Sequence, residues 1–114
     1  ERKSFEEVSG VYLIHDDTID QFTDLDGFAA QVAAMDLVIS ISNTTVHIAG
    51  AVGVPTWTLL SSAPLWRWFA GRVDCPWYSS VQLYRQDQRG DWETVISNVS
   101  DALDSWLLNE KNYD

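Results

Sequence analysis

The sequence predicts a three-layer α/β/α domain with four or five mostly parallel strands, and three observations carry that expectation. Short apolar runs rich in β-branched residues alternate with helical patterns. The stretch from residue 37 to 60, LVISISNTTVHIAGAVGVPTWTLL, reads as strand, polar elbow, helix and strand within two dozen residues. Small residues Ala49, Gly50 and Ala51 on the helix of that unit allow a close approach to a sheet.

Taken in order, Phe5 and Val8 followed by Gly10 mark the end of a short helix with a glycine stop. Val11 to Ile14 is expected as a first strand, with His15, Asp16 and Asp17 at its carboxyl end. A solvated turn explains these three polar residues. A contact between Asp16 and a ribose hydroxyl is the functional alternative. Asp24 or Asp26 caps the next helix, on which Phe28, Val32 and Met35 form a buried stripe. Leu37 to Ile41 is the central strand. A helix from about Thr45 to Val52 follows, stopped by Gly53 with Pro55 beyond, and Val54 to Leu60 is the next strand. Ser61 and Ser62 lie at its carboxyl end. Trp66, Arg67 and Trp68 cannot all face one way on a helical turn, so they divide between core and cleft. Pro76 forces Cys75 into an extended conformation. Val81 to Tyr84 is the last strand, and Asp91 caps a final helix carrying Val95, Val99 and Leu103. The tail NEKNYD is expected to fray.

Composition narrows the function. The 114 residues suffice for one domain with a sizeable core. The net charge of −10 argues against nucleic acid and anionic membranes as general partners. No apolar run approaches the roughly 20 residues of a membrane span. One Cys excludes an intramolecular disulfide, and with two His it makes no usual zinc site, which points to a reducing cytoplasmic compartment and to no metal. Six Trp is high for this length and suits a ligand platform or a docking surface. The start, ERKSFEEV, begins in mid-pattern and suggests residues 1–114 are an excised domain of a longer chain.

The elbow holds the candidate chemistry. Ser42, Asn43, Thr44 and Thr45 stand between the carboxyl end of a strand and the amino end of a helix, where open α/β sheets bind ligands. Free helix amides and the positive end of the helix dipole favour an anion there. The side chains of these four residues add hydrogen bonds, and His47, one turn past Thr44, reaches the same anion and binds it better when protonated. The plain alternative is an ordinary helix cap with His47 on the surface. Arg67 is a candidate to neutralise a diphosphate, and Ser61 and Ser62 are candidates for the donor pocket.

The segment SNTTVHIAGAVGVP resembles the nucleotide-sugar-binding segment of the C-terminal domain of GT-B glycosyltransferases, especially those of family 9, the ADP-heptose heptosyltransferase type. It is similar also to the Thr-Thr segment of peptide O-GlcNAc transferases. PLWRWFAGRVDCPWYSSVQLYRQDQRGDW resembles the tail of bacterial glycosyltransferases fused to tetratricopeptide repeats. This chain carries Ser42 where heptosyltransferases usually have Asp, and Ile48 at the position resembling a ribose-binding Asp. The resemblance implies a Rossmann-like C-terminal half of a GT-B fold that binds a nucleotide-diphosphate sugar, with no cofactor and no metal. It implies glycosyl transfer only together with a preceding acceptor-binding domain, and leaves the catalytic residues unassigned. The reading of a different class is a non-catalytic α/β module that docks a protein through its Trp-rich loop.

Overall fold

The computed structural model describes residues 1–111. Its helices are α1 (Arg2–Ser9), α2 (Leu25–Ala33), α3 (Thr44–Val52) and α4 (Trp92–Lys111), and its strands β1 (Val38–Ile41), β2 (Thr56–Leu60) and β3 (Val81–Arg85). The three strands form one parallel sheet in the order β1-β2-β3. The chain is therefore α/β with a parallel sheet, compatible with a Rossmann-like arrangement. Val38 is level with Thr56, and Thr56 with Val81. All three strands thus end together at Ile41, Leu60 and Arg85, and the loops that follow share one edge.

The local chemistry of α3 is simple. Asn43 is extended (φ −153°, ψ −174°) and its side chain accepts from the Thr45 amide at 3.0 Å, satisfying one of the amides left free by helix geometry. Gly53 adopts the left-handed conformation (φ 80°) that a Cβ disfavours and donates back to the last turn, ending the helix before Pro55. Val46 and Ala49 are buried, and each anchors one of two apolar clusters. Val46 packs with Leu60, Trp68, Cys75, Val81 and Leu83, and Ala49 packs with Phe28, Val32, Val38 and Val54. The helix α3 is the seam between β2–β3 with their loop on one side and α2 with β1 on the other. Burying two small or β-branched residues on it lets the sheet approach closely.

Several expectations are corrected. The described residues contain three strands, not four or five, because Val11 to Ile14 forms no strand. Ile14 is 93% exposed, and the segment is held instead by a bond from the Leu13 amide to the Glu6 carboxylate at 2.8 Å. Without a strand beyond β1 the elbow lies at the end of an edge strand, and the sheet order shows no reversal beside Ser42 to Thr45 among the described residues. Met35 lies past the end of α2 and is 47% exposed, so the stripe closes at Val32. The helix of α4 continues to Lys111, into the tail expected to fray, and residues 112–114 lie outside the described residues. Cys75 is free and buried in the core. None of the described helices is long and apolar enough to cross a membrane.

Candidate functional site

The elbow residues Ser42 to Thr45 follow the carboxyl end of β1, as the sequence indicates. Two of them are already engaged. Asn43 caps α3, and its amide nitrogen donates to Ser40 Oγ at 3.1 Å. Ser42 Oγ accepts from the indole N–H of Trp68 at 2.9 Å. The Thr44 and Thr45 hydroxyls, and the backbone amides of Thr44 and Val46, have no acceptor among the described residues. Unpaired donors thus collect at the helix N-terminus, where the dipole adds partial positive charge.

Two clefts flank this point. Asn43, Thr44 and Thr45 line one of about 370 Å³ together with Gln21, Phe22, Leu25 and Phe28. Ser42 lines the other, of about 350 Å³, with Ile41, Ser61, Leu65, Trp68 and Trp92 among its walls. Ser61 therefore falls beside the elbow. Ser62 does not line that cleft, and its amide donates to Gln86 Oε1 at 3.3 Å. Gln86 is buried and also accepts from the Gly90 amide at 3.1 Å, so one side chain ties the loop after β2 to the loop after β3.

Asp16 stands elsewhere. Its carboxylate accepts from the Thr18 amide at 2.9 Å and the Thr18 hydroxyl at 2.6 Å, and these bonds hold its pKa below the usual carboxylate value. It lines a separate cleft of about 510 Å³ whose walls Gln21 and Phe22 are shared with the elbow cleft. With no strand before it, Asp16 belongs to a side-chain-stabilised turn and not to the sheet edge. His15 pairs with Asp17 at 3.3 Å, and no cluster of three metal-ligating side chains exists among the described residues.

His47 lies in a cage that spacing did not reveal. The buried Trp68 ring stacks on the imidazole with centroids 5.3 Å apart and planes at 18°. Tyr78 meets it from another side, with its hydroxyl 3.1 Å from His47 Nδ1. His47 is half-buried rather than a free surface residue. Burial, and then the positive charge of Arg67, lower its pKa from the ordinary 6.5. Arg67 thus falls within electrostatic reach of α3, on the single 3-10 turn Trp66–Trp68. That turn is fastened by the Arg85 guanidinium on the Trp68 carbonyl and by the Trp77 indole N–H on the Arg67 carbonyl at 2.7 Å. Trp66, Trp77 and Phe69 form an exposed aromatic group beside it, Trp66 at 75% exposure and Trp77 at 54%.

Of the residues expected to divide between core and cleft, Trp68 is fully buried and Trp66 is exposed. Tyr78, Arg85 and Gln86 went unmarked. The nearest signal for Tyr78 is Gly50, a bare spot on α3 that an aromatic ring fills.

No family model matches the chain, and no solved structure matches it. The chain is 43% identical over 94 residues to Protein FlbA of Caulobacter vibrioides, a match that covers 82% of this chain and 15% of that protein. The chain thus corresponds to about 15% of the length of the curated relative it matches.

Proposed function

We propose that this chain is the donor-binding, C-terminal half of a metal-independent GT-B glycosyltransferase, with a nucleotide-diphosphate sugar held at the elbow before α3. The observation that carries the reading is the group of unpaired donors on Thr44 and Thr45, which line a cleft at the carboxyl edge of a parallel sheet. A diphosphate leaving group gains negative charge as the glycosidic bond breaks. Donors fixed before the reaction stabilise that charge without reorganising. Arg67 and His47 supply positive charge and a further donor beside it. The acceptor and the general base come from a preceding domain in the parent protein, and tetratricopeptide repeats are a candidate neighbour. Such a donor sugar places the parent protein in the cytoplasm. In three-layer terms, α2 and α3 form one outer layer and α4 the other.

A second reading rests on the exposed Trp66, Trp77 and Phe69, which suit a protein docking surface in a non-catalytic module. Calorimetric titration of the parent protein with nucleoside diphosphates separates the two. Thr44→Val combined with Thr45→Val removes two hydroxyl bonds to a charged group and is expected to weaken binding by roughly 1 to 3 kcal/mol. No binding, or binding that ignores both substitutions, overturns the donor-site reading and leaves the docking surface.

A further inference from the structure

Tyr78 belongs to the loop between the Trp66–Trp68 turn and β3. Its ring lies directly on α3. A Cβ built at Gly50 would stand 2.4 Å from Tyr78 Cγ, so the ring occupies the space that any other residue would fill. From there its hydroxyl reaches His47 Nδ1 at 3.1 Å, and the rings meet at 64° with centroids 5.9 Å apart. Trp68 covers a face of the imidazole and is itself tied to the elbow through Ser42. The one polar ring atom of His47 left without a partner among the described residues is Nε2.

We propose that Tyr78 is a positioning residue whose hydroxyl donates to Nδ1 of neutral His47, fixes the tautomer with the proton on Nε2, and so presents an N–H donor toward the elbow. A phenol is the better donor of the two groups and a neutral imidazole nitrogen the better acceptor, which sets the direction of the bond. The helical side chain itself leans back over Thr44. The charged and titratable groups facing the ring are Arg67 and Tyr78, with no carboxylate among the influences on it. Both burial and Arg67 favour the neutral imidazole. If the ring is protonated, the Tyr78 oxygen accepts from Nδ1–H after its hydroxyl rotates, so the clamp serves both states. The role toward a ligand rests on the donor-site reading above, whereas the tautomer does not.

The test is a long-range proton–nitrogen correlation spectrum of the His47 ring in the free protein near pH 8. The expected spectrum shows the proton on Nε2 and an unprotonated Nδ1 shifted by the bond it accepts. A proton on Nδ1 overturns the proposal without recourse to any variant. Tyr78→Phe keeps the ring on Gly50 and removes the hydroxyl. It is expected to admit the second tautomer, and an unchanged nitrogen spectrum in a folded variant overturns the proposal as well. With a nucleoside diphosphate as probe, the same variant is expected to lose about threefold to tenfold in affinity, as for one hydrogen bond. Absence of binding to the unsubstituted parent protein removes the donor-site reading and leaves the tautomer result intact.

Discussion

Gly50→Ala tests whether the loop carrying Tyr78 is packed on α3. The added Cβ would lie 2.4, 2.7 and 2.8 Å from Tyr78 Cγ, Cδ2 and Cδ1, where ordinary contact begins at 3.4 Å. The ring must therefore retreat by about 1 Å, and these atoms are the root of the ring rather than the tip of a flexible chain. Overpacking of this kind costs about 1 to 3 kcal/mol. Against it stands the helical preference for Ala over Gly, worth about 1 kcal/mol in a helix interior. The expected net result is destabilisation by about 1 kcal/mol, read as a lower midpoint in urea with an unchanged slope. A second consequence separates this mechanism from a general loss of stability. The displaced Tyr78 hydroxyl leaves His47, so the imidazole nitrogen shifts change in the still-folded variant. A Gly50→Ala protein that is more stable by about 1 kcal/mol, with His47 unaltered, would mean that nothing lies over Gly50 and would refute the packing described.

Asn43→Ala removes the side-chain acceptor of the Thr45 amide and is expected to cost about 0.5 to 2 kcal/mol of stability in a denaturation experiment. A neutral effect would show that the Asn43 cap is not formed in solution. For His47, an NMR titration of the free protein is expected to give a pKa below 6.5, because burial and Arg67 favour the neutral ring. Its contribution to stability is then present above 6.5 and lost as pH falls through the folded-state pKa. A bound diphosphate raises that pKa. The resulting gain in affinity is full below the ligand-free pKa and disappears as pH climbs through the ligand-bound one, and equal affinities across this window would exclude His47 from the anion site.

Local signals were legible where the backbone itself decides the outcome. The polar run Ser42 to Thr45, the stop at Gly53 and the period of Val95 and Val99 place α3 and α4 from sequence, because capping and burial periodicity act within a few residues, whereas which of the four polar residues caps α3 is settled only by the fold. Val11 to Ile14 shows the limit. A β-branched apolar run favours extension, yet a strand also needs a partner edge, and that partner is a tertiary matter. Met35 failed for a related reason: its place in the stripe holds only while α2 continues, and the helix ends at Ala33. At the site, the elbow was legible and the cage around His47 was not. Trp68 is 26 residues from Ser42, and Tyr78 is 31 from His47, so only the folded loop brings them together. Gln86 is likewise a polar residue whose burial follows from two backbone amides in different loops.

The central claim is an anion site at the amino end of α3, and amide shift mapping tests it most directly. Titrating the protein with a nucleoside diphosphate, and in parallel with the nucleoside alone, isolates the contribution of the phosphates. The account expects the largest diphosphate-specific shifts at Thr44, Thr45 and Val46, with smaller ones at His47 and Arg67. Shifts confined to the exposed Trp66 and Trp77 surface, or identical for the two ligands, would contradict it.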